Sequence, residues 1–180
     1  AQVVYDITRR LPPEVLTVGV FRNEHPKLVV DTAHRAGVKA VQLSGRETPA
    51  QTIEIAQHFR WVIKAFGADD ENLPRADQYG TDMIMIDGPE PGSGKVFDWS
   101  LAGDAPDSLK LILAGGLTPE NVGAAIAEVH PWGVDVATGV EKSPGKKDAI
   151  AVKRFIENAH AHAPEPYLGD DNIPYDWDFE

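Results

Sequence analysis

Asp87 is the residue best placed to do chemistry. It closes the run Met-Ile-Met-Ile-Asp over residues 83–87 and is followed by Gly88-Pro89-Glu90-Pro91-Gly92-Ser93-Gly94-Lys95. A carboxylate at the carboxyl end of a parallel strand stands on the face where α/β active sites form. The Gly92-Ser93-Gly94 turn can aim successive N–H groups at an anion, and it also reads as an ordinary connecting loop. It is not a P-loop: five residues separate Gly88 from Gly94-Lys95, and Val96 stands where a magnesium-binding Ser or Thr would be. Two further glycine turns follow the next two apolar runs. One is Ala114-Gly115-Gly116-Leu117-Thr118-Pro119-Glu120-Asn121, the other Val134-Asp135-Val136-Ala137-Thr138-Gly139-Val140-Glu141. Either alone reads as a tight turn. In succession, on the last two strands, they fit a phosphate site built from backbone N–H groups.

The histidines give no metal constellation. His160 and His162 fall near a helix end, where positive charge suits the dipole, and His25, His34, His58 and His130 lie in or beside helices. All six read as surface residues, Trp61 and Trp99 read as packing, and no metal site is expected.

The elements that must position these residues are short apolar runs alternating with longer amphipathic stretches. Strands are predicted at 16–21, 39–43, 61–65, 83–87, 110–114 and 133–137, most of them continuously apolar, as strands buried on both faces tend to be. Helices are predicted at 1–11, 25–36, 49–59, 71–80, 119–129 and 147–161. Thr48-Pro49 and Thr118-Pro119 place a capping residue before a proline at the first helical position. The pattern is a helix followed by six βα units. Such a rhythm fits a doubly wound sheet or a (β/α)8 barrel, and six strands are two short of a closed barrel.

The chain has 180 residues, 42% of them apolar and 25% charged, with a net charge of −11 and no cysteine. Disulfides, thiolate metal sites and cysteine nucleophiles are excluded. No apolar run approaches the roughly 20 residues of a membrane span, and no basic-then-apolar leader opens the sequence, so a cytoplasmic location with no membrane partner is expected. The last 18 residues hold six acidic residues and no Lys or Arg. The remainder is mildly acidic, which argues against nucleic acid as a partner but not against a small anionic ligand. Residues 1–162 read as one domain and 163–180 as an acidic tail, with Tyr167, Tyr175, Trp177 and Phe179 suited to docking on a surface.

Taken together, these blocks resemble phosphoribosylanthranilate isomerase, the tryptophan-biosynthesis family with a (β/α)8 fold. The matching stretches are VGVF (18–21), KAVQLSG (39–45), VIKAF (62–66), MIMID (83–87), GSGKVFDW (92–99), LAGGLTPENV (113–122) and GVDVATGVEKSPGKKD (133–148). They run in order over about residues 11 to 158, and MIMID with GSGKVFDW, LAGGLTPENV and GVDVATGVEKSPGKKD together are the specific ones. The resemblance implies an α/β TIM-barrel type of fold, incomplete here, with about six parallel strands and the family's first βαβ segment absent.

It also implies an Amadori rearrangement of an aminoaldose phosphate to an aminoketose phosphate, without metal or cofactor. An acid protonates the furanose ring oxygen, and a base removes the proton at sugar carbon 2. Asp87 matches the general acid. Gly92 and Gly94, Gly115 and Gly116, and Thr138, Gly139 and Val140 match the phosphate loops, and Asp135 matches a strand-end residue facing the substrate. The expected partner is thus a phosphorylated sugar-anthranilate. The family's base, a cysteine in a Lys-Ile-Cys-Gly-like first strand, has no counterpart, and Ser44 stands where the family often has histidine. The alternative reading is a catalytically impaired relative that binds phosphate ligands. Strands 16–21 and 133–137 become sheet edges, which invite a second copy of the chain or cover by the aromatic tail.

Overall fold

A computed structural model describes residues 1–88 and 98–164. A short helix α1 (Gln2–Thr8) leads into six strands: β1 (Val18–Phe21), β2 (Ala40–Leu43), β3 (Trp61–Gly67), β4 (Met83–Asp87), β5 (Lys110–Leu113) and β6 (Gly133–Val134). All neighbouring pairs are parallel, and their order in the sheet is their order in the chain. A doubly wound sheet reverses strand order at a switch point. This sheet never reverses, so it is barrel-like. It does not close: among the described residues β1 and β6 each pair on one side only.

Both faces of the sheet carry apolar side chains, and strand alternation sorts them. Ile84, Ile86 and Leu113 pack outward under the helices with Phe66, Leu73, Val122 and Phe155. Val41, Leu43 and Val62 pack outward with Val29, Ala33 and Ile55. The inner face is a smaller cluster of Ile63, Met83, Met85 and Ala114, flanked by Trp61, Ala65 and Ile112. Because side chains alternate with a period of two, Asp87 follows Met83 and Met85 inward. Asp135 likewise falls on the face opposite Val134, which packs with the outer core.

Caps fix where the helices begin. Helix α2 (Pro26–Ala36) starts with Pro26 after His25, whose Nδ1 accepts the Lys27 N–H at 3.3 Å, and ends at Gly37 in the left-handed region, φ 67°. Helix α3 (Pro49–Ala56) has the expected Thr48 cap, completed as a capping box by Gln51. Helix α5 (Ala149–His162) starts at Asp148, whose carboxylate accepts from Ile150 and Ala151.

Three segments differ from expectation. The stretch expected as a helix over 71–80 is a 3-10 turn, Leu73–Tyr79, broken at Arg75 where φ is −117°. Helix α4 (Val122–Val129) starts three residues later than its sequence suggests. The Asn121 side chain turns back to accept the Thr118 N–H at 2.7 Å and donate to the Gly116 carbonyl at 3.0 Å, holding 116–121 as a turn. Strand β6 is two residues long, its ladder continued by one bond from Asp135 N–H to Leu113 O at 2.8 Å. Three elements were not anticipated: 3-10 turns at Trp99–Asp104 and Thr138–Val140, and a hairpin of β7 (Glu141–Ser143) and β8 (Lys146–Lys147) turning at Gly145, φ 75°.

Candidate active site

The carboxyl end of β4 and the two loops after β5 and β6 meet over one cleft of about 70 Å³. Its lining includes Asp87, Gly115, Gly116, Asp135, Thr138 and Gly139. Whole-ligand sites run to about 300–1,000 Å³, so this cleft accounts for one end of a ligand. Larger hollows, about 680 and 510 Å³, lie by the opposite ends of the strands around Trp132 and Pro164. They hold none of the strand-end residues singled out from the sequence.

Glycine is required at two contacts. At Gly115, φ is 86°, and a Cβ would sit 2.5 Å from the Gly88 nitrogen and 2.8 Å from Asp87 Oδ1. At Gly139 a Cβ would run into the Leu117 carbonyl oxygen. Any side chain would therefore wedge these loops apart. Gly116 is also left-handed, φ 66°. Such consecutive turns expose backbone N–H groups in a shape suited to anions.

Burial raises the Asp87 carboxyl above its ordinary range, against the 2.8 Å hydrogen bond donated to it by the Gly88 N–H. Asp135 is open to solvent by surface area, yet protein crowds its carboxyl. That crowding, and then the charge of Asp87, raises it, while Lys147 pulls the other way. Lys147 is itself fixed, donating to the Ala137 carbonyl at 2.6 Å and pairing with Glu141 at 3.1 Å. The site thus brings two carboxylates with raised proton affinity together with glycine turns in one cleft. Such a combination can protonate an oxygen on a ligand held by its phosphate.

Six of the nine residues singled out from the sequence line this cleft. Val140 does not: its side chain is buried in the outer core, leaving only its backbone for a ligand. Gly92 and Gly94 lie outside the described residues.

The model of the N-(5'-phosphoribosyl)anthranilate isomerase family matches residues 1–158. The chain belongs to the phosphoribosylanthranilate isomerase family. The family member of Desulforudis audaxviator is 48% identical over 161 residues, 85% of this chain and 76% of that one. That of Thermotoga maritima is 46% identical over 158 residues, 85% and 77%. The solved phosphoribosylanthranilate isomerase of Thermotoga maritima superposes with a TM-score of 0.80 at 43% identity, covering 89% of this chain and 80% of that one. The Thermus thermophilus enzyme gives 0.81 at 31% identity, covering 88% and 78%. Another solved phosphoribosylanthranilate isomerase, in complex with reduced 1-(o-carboxyphenylamino)-1-deoxyribulose 5-phosphate, gives 0.75 at 40% identity and covers 89% and 79%. The family is one of tryptophan-biosynthesis isomerases with TIM-barrel folds, and the sheet here is six strands of that barrel. Among the described residues no helix is long and apolar enough to cross a membrane.

One feature escaped the sequence reading. Lys64, inside the run VIKAF, and Glu47 form a buried ion pair at 3.2 Å, 3% and 2% exposed. The signal was a charge in the middle of a strand covered on both faces, which needs a buried partner.

Proposed function

We propose that this chain acts on N-(5'-phosphoribosyl)anthranilate, with Asp87 as general acid and the loops after β5 and β6 holding the phosphate. The observation that carries this reading is the close packing of Asp87 against Gly115, over a cleft whose wall is completed by Gly139. Asp87, whose proton affinity burial raises, gives its proton to the furanose ring oxygen. The bond from that oxygen to carbon 1 breaks as the anthranilate nitrogen lone pair forms the carbon–nitrogen double bond. The proton at carbon 2 then passes to water, giving an enolamine, which tautomerises to the aminoketose. Gly115, Gly116, Thr138 and Gly139 keep the phosphate end fixed while the ring opens, and Asp135 faces the sugar hydroxyls. Gly92, Gly94 and the Val140 backbone belong to the same phosphate assignment.

A second reading rests on a specific observation: the chain has no cysteine, so the base implied by the resemblance is not among its residues. Under that reading it binds the phosphorylated ligand without turnover. The deciding experiment follows loss of substrate fluorescence with the chain and with Asp87→Asn, beside binding of the reduced product analogue. Turnover that falls about 100- to 10,000-fold in Asp87→Asn, with analogue binding retained, supports the isomerase. Analogue binding without turnover supports the second reading, and absence of both refutes the phosphate site.

A further inference from the structure

The buried ion pair is built into the same end of the sheet as the cleft, between β2 and β3, and β3 pairs with β4, whose last residue Asp87 lines the cleft. Glu47 follows β2, and its carboxylate is fully used. Oε1 accepts the Asn23 N–H at 2.8 Å, and Oε2 accepts the Gly45 N–H at 3.0 Å and meets Lys64 Nζ. Lys64 reaches from β3 and donates to the carbonyls of Leu43 at 3.2 Å, Gly45 at 2.9 Å and Ala65 at 2.7 Å. The rings of Phe66 and Tyr79 flank the ammonium at 5.0 and 6.0 Å. Asn23, just past β1, takes φ 60°, and its Oδ1 accepts the Arg46 N–H at 2.6 Å. A Cβ at Gly45 would sit 2.6 Å from both the Asn23 nitrogen and Glu47 Oε1. One ion pair therefore ties together the chain leaving β1, β2 and β3.

Burial opposes the Glu47 charge, but the Asn23 and neighbouring backbone N–H groups and Lys64 hold its carboxyl below the usual range. Buried ion pairs are weak sources of net stability compared with apolar packing of the same volume. Their attested use is to impose one geometry, and non-glycine residues at positive φ gather where geometry is functional. The geometry imposed here is that of residues 43–47. Gln42 alternates with Val41 and Leu43 and so faces inward. Its Nε2 donates to Ser44 Oγ at 3.0 Å, and the Ser44 N–H donates to the Phe21 carbonyl at 2.8 Å. Gln42 and Ser44 thus form a hydrogen-bonded polar pair on the side of the barrel mouth away from the phosphate cradle.

We propose that Glu47 and Lys64 are positioning residues, which hold Gln42 and Ser44 against the non-phosphate half of the substrate. This rests on the isomerase-family reading of the cleft, since a ligand anchored by phosphate at β5 and β6 must extend its other half across the mouth. It places a determinant of affinity in two side chains with no direct access to the ligand.

The test measures binding of two probes, reduced 1-(o-carboxyphenylamino)-1-deoxyribulose 5-phosphate and inorganic phosphate. The proteins are the unmodified chain, Lys64→Met, and the double variant Glu47→Gln/Lys64→Met. The double variant leaves no unpaired buried charge and guards against a Lys64→Met protein that does not fold, with folding verified by circular dichroism. The expected result is a tenfold or greater loss of affinity for the reduced product in the folded variants, phosphate affinity unchanged within twofold, and faster amide exchange over residues 44–47. Unchanged affinity for both probes in the variants overturns the positioning role alone. Equal losses for both probes also overturn it, because the defect is then general. An unmodified chain that binds neither probe overturns the family reading of the cleft, and this proposal with it.

Discussion

Asp87 combines an inward direction, set by strand alternation, with a carboxyl raised by burial, and that combination has a measurable sign. Its folded-state pKa lies above the unfolded value of about 3.9. Stability tied to this group is therefore intact below that value and declines as pH rises through the folded pKa. Asp87→Asn should thus be more stable than the unmodified chain at pH 7, with the gap closing as pH drops below about 4. Urea unfolding across that range checks it, and a gap that widens in acid would refute the buried-acid assignment. Gly139 gives a steric counterpart. Gly139→Ala forces a methyl into the Leu117 carbonyl oxygen, and overpacking of this kind typically costs about 1–3 kcal/mol. Phosphate affinity should fall with it, as calorimetric titration would show.

At the scale of elements, the caps and the buried pair make opposite predictions about function. Thr48 caps α3 and faces solvent at its hydroxyl, so Thr48→Ala should lower stability by about 1 kcal/mol and leave ligand affinity alone. Lys64→Met strands the Glu47 carboxylate in the interior and should lower stability by about 3–5 kcal/mol, most of it recovered in the double variant with Glu47→Gln. Denaturant midpoints for the four proteins of this cycle supply the check. An additive cycle would mean the two side chains do not act as a unit. The element that departed furthest from expectation, α4, did so for a local reason. Thr118-Pro119 has the form of a helix start, yet Asn121 captures both Gly116 and Thr118 and delays the helix to Val122. That same capture shapes the glycine turn beneath Asp87.

For the whole molecule the decisive feature is an open flank. Val20 on β1 is 64% exposed, Ile150 on α5 73% and Val3 on α1 74%. Helix α1 contributes no buried residue at all. Exposed apolar strand edges promote association, so the 180-residue chain should associate as its concentration rises. Val20→Lys should shift it toward monomer in sedimentation velocity. A chain that stays monomeric at every concentration removes edge pairing between copies as the cover for this flank.

Motif spacing was enough to locate Asp87, Asp135 and the glycines at 115, 116 and 139, because these positions follow apolar runs whose length and order are local properties. Strand existence was legible for the same reason, as in Met83–Asp87, whose bounds match. Val140 looked like a loop residue in sequence, and only packing shows its side chain committed to the core. Periodicity alone did not choose between a barrel-like and a doubly wound sheet, since both obey the same βα rhythm and differ only in which strands become neighbours. The family resemblance of the motifs already implied the barrel type, and the strand order agrees with it. The Glu47–Lys64 pair also lay beyond periodicity: two residues 17 positions apart become partners only when β2 and β3 lie side by side. What the chain determines by itself is what periodicity and neighbouring residue types encode. What the tertiary structure decides is which distant charges share a desolvated space, and that is where carboxyl and ammonium groups acquire their altered proton affinities.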